Sequence, residues 1–211
     1  PMEGDIFSLE LCDDIGRIAA AEWDGIAGTE NPFVCYSFLA ALEAGKAVGG
    51  DTGWDPLHLV VRDNSRRLIA AMPNYLKHHS YGEYIFDHSW ANGFMRAGGQ
   101  YYPKMLAAIP FTPATGPRLL TGAATGTRRQ QLIRRLANGM RRYVETLQLS
   151  SAHVNFLPSE DANALVDEGW LLRHSIQFHW HNNGYNCFDD FLANLSSRKR
   201  KNIRKERQSL I

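Results

Sequence analysis

Cysteine is scarce and poorly placed for cross-linking: Cys12, Cys35 and Cys187 are the only three in 211 residues, and an odd number cannot all pair within one chain. Their spacing matches no zinc site. A reducing, cytoplasmic setting is the expectation. Long apolar runs are missing too. The longest, such as Met105 to Phe111, fall far short of the ~20 residues that cross a bilayer, so no membrane span is expected. The opening stretch PMEGDIFSLEL is acidic and lacks a basic flank followed by an apolar core, so no signal peptide is expected there. Neither a Walker motif nor G-x-G-x-x-G occurs, and no Ser/Pro/Gly linker or internal repeat interrupts the chain.

What is present is the composition of a folded domain. With 44% apolar, 11% aromatic and 21% charged residues, the chain has enough apolar bulk to offset its ordering entropy. Its net charge of +1 hides an asymmetry. Arg198 to Arg207 holds seven Lys/Arg and one Glu, a local +6 that leaves −5 for the remainder. A mildly acidic body argues against a broad nucleic-acid-coating face, so any polyanion contact would be local.

Strand and helix patterns alternate from end to end. Asp5 to Leu11 alternates like a strand, Cys12 to Ala27 reads as a helix, and Asn31-Pro32 starts a second one ending near Gly45. Pro56 to Asp63 and Arg66 to His79 flank Asn64-Ser65 as a hairpin, to which Gly82 to Asp87 could add a third strand. A short helix is expected within Ser89 to Gly99, and strands over Lys104 to Phe111 and Pro117 to Gly122. Thr127 then caps a long helix, Arg128 to Gln148, with a stripe of Leu132, Ile133, Leu136, Met140, Tyr143, Val144 and Leu147. Strand, helix and strand follow over Ser151 to Pro158, Ser159 to Gly169 and Trp170 to Asn182, before a last helix that becomes almost wholly charged after Ser197. The order predicts an α/β or α+β domain, a mixed, largely antiparallel sheet flanked by helices.

Three segments could carry chemistry. The loop Leu119 to Gln130 leads a strand into a helix N-terminus; Gly122 and Gly126 allow close backbone approach, and Arg128 and Arg129 add charge, as in a phosphate cradle. A surface turn with solvated arginines is the plain alternative. On a late strand, Ser175, Gln177, His179 and His181 would share one face, making His179 a candidate general base beside Gln177 and His181. No third ligand accompanies the two histidines, so no metal is expected. Lys77 to Ala91 packs Lys, three His, Glu, Asp and two Tyr into fifteen positions. Glu83 and Asp87 lie an even number apart and would face one way on a strand, able to orient an amine or take its proton. A solvent-facing edge is the competing reading. Tyr102 is a candidate proton donor and Arg118 a candidate anion contact. The run Arg198 to Arg207 is either a solvated helix or a clamp for the phosphates of a carrier substrate.

The strings NPFVCYSFLAALE, TGWDPLHLVV, AAMPNYLKHHSYGEYIFDHSWA, YYPKMLAAIPFTPATGPRLL, AHVNFLP, IQFHWHNNGY and FDDFLANLSSRKRKNIRKER resemble the FemAB-like predicted N-acyltransferases of bacteria. The resemblance runs from about Asn31 to Arg207. It implies a GNAT-like mixed sheet and transfer of an acyl or aminoacyl group from a phosphate-bearing carrier to an amine-bearing acceptor, such as a cell-wall precursor. Acyl-CoA or aminoacyl-tRNA, the latter bound through its tRNA acceptor end, would be the co-substrate, with no permanently bound cofactor. Relatives usually carry a second GNAT-like half, so residues 1–197 are expected to form one GNAT-like domain, the N-terminal half of a longer tandem protein, with 198–211 a basic helix or tail leading onward. In this reading His179 or Asp87 is the base, Glu83 and Gln177 orient the acceptor, Tyr102 is the acid, and Arg118, Arg128 and Arg129 hold donor phosphates. It requires the histidine-bearing and acidic-aromatic segments to share one hollow. The alternative is a catalytically inactive GNAT-like module that binds a cell-wall precursor or a protein partner through its basic helix.

Overall fold

The computed structural model describes residues 7–209, and the chain forms two compact units, Pro1–Arg173 and His174–Ile211. The first unit opens with β1 (Ser8–Cys12), then α1 (Ala20–Ala27) and α2 (Tyr36–Ala44). The single helix expected over Cys12 to Ala27 is broken: Ile15–Arg17 forms one 3-10 turn, and the chain extends at Ile18 and Ala19 before α1 starts.

The centre is one long hairpin with a break in each arm. One arm is β2 (Trp54–Pro56) and β3 (His58–Arg62); the other is β4 (Leu68–Met72) and β5 (Asn74–Lys77). The breaks fall at Leu57, whose N–H still donates to the Asn74 carbonyl, and at Pro73, which has no N–H to donate. Beyond the break the arms acquire different neighbours. β1 joins β3 in the order β1-β3-β4, whereas β6 (Lys104–Ala107) joins β5 in the order β2-β5-β6-β7. The pairs are antiparallel except β6 with β7 (Ala152–Val154), which is parallel. The expected hairpin therefore forms, though its turn is built by Asp63, whose carboxylate accepts from the N–H groups of Ser65 and Arg67. Pro117 to Gly122 is not a strand; it contributes only the bridge between Leu120 and Ala71.

Period-2 alternation sorts the core. Leu59, Val61, Ala70, Met72, Met105 and Ala107 face α4 (Gly126–Thr146), which buries Leu132, Ile133, Leu136, Ala137 and Met140 against them, with Leu165 of α5 (Ser159–Asp167) alongside. Val60 and Ala71 face the other way, onto Ile15, Trp23, Val34 and Leu39. A register shift between Val61 and Arg62 turns Leu68 to that second face. Helix α4 starts earlier than expected, so Thr127 lies inside it, and the apolar stripe loosens toward its end, where Leu147 is exposed. Within α4, Gly139 is a packing requirement: a Cβ there would stand 2.5 Å from Leu9 Cδ2 and 2.9 Å from Cδ1. Gly139→Ala is expected to cost roughly 1–3 kcal/mol by overpacking, despite alanine's better helix propensity, as read by urea denaturation.

Two further expected strands are absent. Gly82 to Asp87 curls instead, with Gly82, Tyr84 and Phe86 at positive φ of 79°, 58° and 52°, and leads into α3 (His88–Arg96). Trp170 to Asn182 forms no regular structure, because no described strand pairs with it. A strand needs a ladder, and alternation alone does not supply one. In the second unit, α6 (Phe188–Ala193) is followed by α7 (Ser197–Gln208), and Asp190 Oδ2 caps the start of α6 by accepting from the N–H groups of Asn186 and Cys187. The fold class is as expected: mixed α/β, with antiparallel and mixed sheets flanked by helices.

Candidate functional site

The last residue of β5, Lys77, pairs across the ladder with the first residue of β6, Lys104, and both side chains are fully buried. Two cations directly opposite each other repel, and a buried ammonium without a partner is costly. The curled segment after β5 supplies the compensation. Its left-handed residues at Gly82, Tyr84 and Phe86 turn Tyr84 and Phe86 outward, while Glu83 and Asp87 are only 3% and 1% exposed.

Lys104 Nζ uses all three of its donors on this segment, reaching Asp87 Oδ2 at 2.8 Å, Glu83 Oε2 at 3.0 Å and Ser80 Oγ at 3.0 Å. Tyr101 donates its hydroxyl to the same Asp87 oxygen at 2.8 Å, and the Tyr102 hydroxyl lies 2.7 Å from Ser80 Oγ. Lys77 takes a different arrangement. Its Nζ donates to the Tyr81 carbonyl at 3.3 Å and sits 3.6 Å above the indole of Trp54, whose own N–H reaches that carbonyl at 3.0 Å.

The environment drives the two carboxyls apart. Burial pushes Glu83 above the usual carboxylate range, and Lys104 offsets this only in part. Burial works the same way on Asp87, but hydrogen bonds from Lys104, Ser80 and Tyr101 overcome it and hold Asp87 well below that range. Burial also pushes Lys77 down to about 7, despite the nearby carboxylates. Such a split gives one site a carboxylate that stays charged and a second carboxyl that holds a proton more readily than a free glutamate. One oxygen of each carboxylate, Glu83 Oε1 and Asp87 Oδ1, is buried with no hydrogen-bond partner. Buried acceptors are rarely left so, and this pair would suit an N–H donor brought in by a ligand.

A family model described as FemAB-like, peptidoglycan biosynthesis/recognition, matches residues 14–211. The chain belongs to the FemAB-like family. No curated protein and no solved structure matches it.

The FemAB-like chain thus gathers Glu83, Asp87 and Tyr102 in one cluster, as the sequence suggested, though through a curl and not a strand. Lys104, Lys77, Ser80 and Tyr101 were missed. The available signal was a lysine at the end of each of two short strands rich in large apolar side chains, which burial permits only if carboxylates come to meet them. Gln177, His179 and His181 belong to the second unit, on an exposed segment without strand pairing. They still gather: His179 Nε2 lies 2.9 Å from Gln177 Oε1, and the His179 and His181 rings stack at 6.4 Å.

Of the residues in the expected phosphate cradle, Gly122 and Gly126 both adopt positive φ, and Gly122 N–H ties the loop to the Ile26 carbonyl at the end of α1. Its cations are engaged. Arg129 pairs with Asp161 and, at 3.2 Å, with Glu160 on α5, and Arg128 lies over the Phe7 ring. Arg118 is buried, donates to the carbonyls of Ala114 and Pro117, and keeps an Nε with no partner; burial pushes it down to about 10. Among the described residues no cluster of His, Cys, Asp and Glu could hold a metal, and no helix is long and apolar enough to cross a membrane.

His153, on β7 beside this cluster, is pushed down to about 4 by burial and then by the Lys104 charge. Its folded pKa lies below its unfolded value, so the unfolded chain binds the extra proton first. Its contribution to stability is complete above about pH 6.5 and is lost as pH falls toward 4. His153→Gln is expected to flatten the stability profile across that interval, measured by denaturant titration at several pH values.

Proposed function

We propose that this FemAB-like protein is an N-acyltransferase that moves an acyl or aminoacyl group from a phosphate-bearing carrier, acyl-CoA or aminoacyl-tRNA, to the amine of a peptidoglycan precursor. The single observation that supports this most is the pair of buried, unpartnered oxygens Glu83 Oε1 and Asp87 Oδ1 around one lysine. An acceptor ammonium would donate to both. Glu83, raised by burial, takes the proton; Asp87, held charged, steadies Lys104 and the incoming cation. The freed amine then attacks the donor carbonyl to form the C–N bond, and the thioester C–S or ester C–O bond to the carrier breaks; the Tyr102 hydroxyl, beside Ser80, gives its proton to the departing sulfur or oxygen and takes back the nitrogen's second proton. Arg118, Arg128 and Arg129, with the backbone of Gly122 and Gly126, are assigned the donor's phosphates. Gln177, His179 and His181 form the second candidate set for the acceptor.

The near-complete burial of Glu83 and Asp87 favours the other reading, in which the cluster is structural and the domain binds a cell-wall precursor without turning it over. Incubation with radiolabelled acetyl-CoA or aminoacyl-tRNA and peptidoglycan precursors separates the two. Transfer of label to the precursor amine supports the transferase. Precursor binding without transfer from either donor supports the binding module.

A further inference from the structure

Helix α7 carries its cations on two different faces. Arg200, Arg204 and Arg207 turn back onto the second unit: Arg200 donates to the carbonyls of Ala193 and Leu195, Arg204 lies 3.6 Å from Asp189, and Arg207 covers the Phe188 ring at 4.4 Å. Their spacing of four and three residues puts them on one side. Arg198, Lys201 and Lys205, spaced by three and four, lie on another, and Lys199 lies between the two faces. All four are exposed, and none has a partner among the described residues. The arginine face holds the helix in place, so the lysine-rich face is presented already formed.

The same unit exposes apolar side chains. Ile176, Phe178 and Trp180 alternate along the unpaired segment and are 86%, 95% and 65% exposed. Trp180 sits edge-on to Phe191 of α6, so this segment and α7 are both carried on α6.

We propose that the second unit docks on an anionic bilayer surface, its free α7 cations lying among lipid headgroups and Ile176, Phe178 and Trp180 entering the headgroup–acyl boundary. Clustered Lys/Arg next to exposed aromatic and aliphatic side chains is the combination that such an interface rewards. A nucleic-acid strand fits less well: no aromatic side chain alternates with the cations of α7 for bases to stack on, and the remaining body, at −5, repels a duplex. The same acidic body would keep the rest of the molecule off the bilayer. This inference goes beyond the transferase reading and stands whether or not acyl transfer is found.

Co-sedimentation with phosphatidylcholine vesicles, with and without about one-third phosphatidylglycerol, tests it. The full chain is expected to pellet with the anionic vesicles at low salt and to be released as salt rises. It should not pellet with phosphatidylcholine alone. Replacing Arg198, Lys199, Lys201 and Lys205 together by Gln should weaken vesicle binding by roughly a thousandfold at low salt, at about 1 kcal/mol for each surface cation. Phe178→Ser should weaken it further, with an unchanged circular dichroism melt showing that each variant is folded. Failure to pellet with anionic vesicles at low salt overturns the proposal, as does binding that the quadruple variant leaves unchanged. Binding to a short double-stranded RNA that survives salt at which vesicles are released assigns the face to nucleic acid and overturns it too.

Discussion

Replacing Lys104 by methionine is expected to destabilise the protein by about 3–5 kcal/mol, because it leaves two buried carboxylates without their shared cation. Methionine matches the length of lysine, so little of the loss would come from volume. The damage is electrostatic: Asp87 loses the first of the hydrogen bonds that hold it ionised, and Glu83 loses the ammonium that its carboxylate accepts from. Urea denaturation near neutral pH measures the effect. Combining Lys104→Met with Glu83→Gln and Asp87→Asn should recover a substantial part of it, since the uncompensated charges are then gone. A loss below about 1 kcal/mol for Lys104→Met alone, in the range of exposed ion pairs, would mean that water already reaches the cluster.

Glu83→Gln is expected to lower acyl transfer roughly 10²–10⁴-fold, the usual contribution of a positioned general base, with little change in stability. Glutamine keeps a carbonyl oxygen for Lys104 Nζ, and the removed carboxyl was the one that burial already disfavoured as an anion. Asp87→Asn should behave in the opposite manner. It removes the charge that the structure works to retain, so stability should fall, and activity through it. Equal losses of activity and stability in both variants would make the cluster structural.

The framework was legible because its signals are local. Alternation over Pro56 to Asp63 and Arg66 to Met72, the long stripe of α4 and the Gly-bounded α5 each specify an element without knowledge of the rest. Two of the three failed strands, Gly82 to Asp87 and Trp170 to Asn182, share one cause. Gly82 to Asp87 has the composition of a strand, yet the two buried lysines at Lys77 and Lys104 draw its carboxylates inward, and the backbone enters left-handed conformations at Tyr84 and Phe86 to deliver them. Trp170 to Asn182 has the alternation of a strand but no ladder partner. Both outcomes turn on long-range partners, which periodicity does not encode. The same holds at the site. Glu83, Asp87 and Tyr102 stand out as chemistry-bearing side chains, whereas Lys104 is distinguished only by its register opposite Lys77.

The pH dependence of acyl transfer tests the central assignment most directly, through the acid limb of kcat/KM in the wild-type protein, Glu83→Gln and His179→Ala. The account predicts an acid limb with an apparent pKa above the ordinary glutamate range, absent from the residual activity of Glu83→Gln and retained in His179→Ala. An acid limb that persists in Glu83→Gln, or that disappears in His179→Ala, would contradict it.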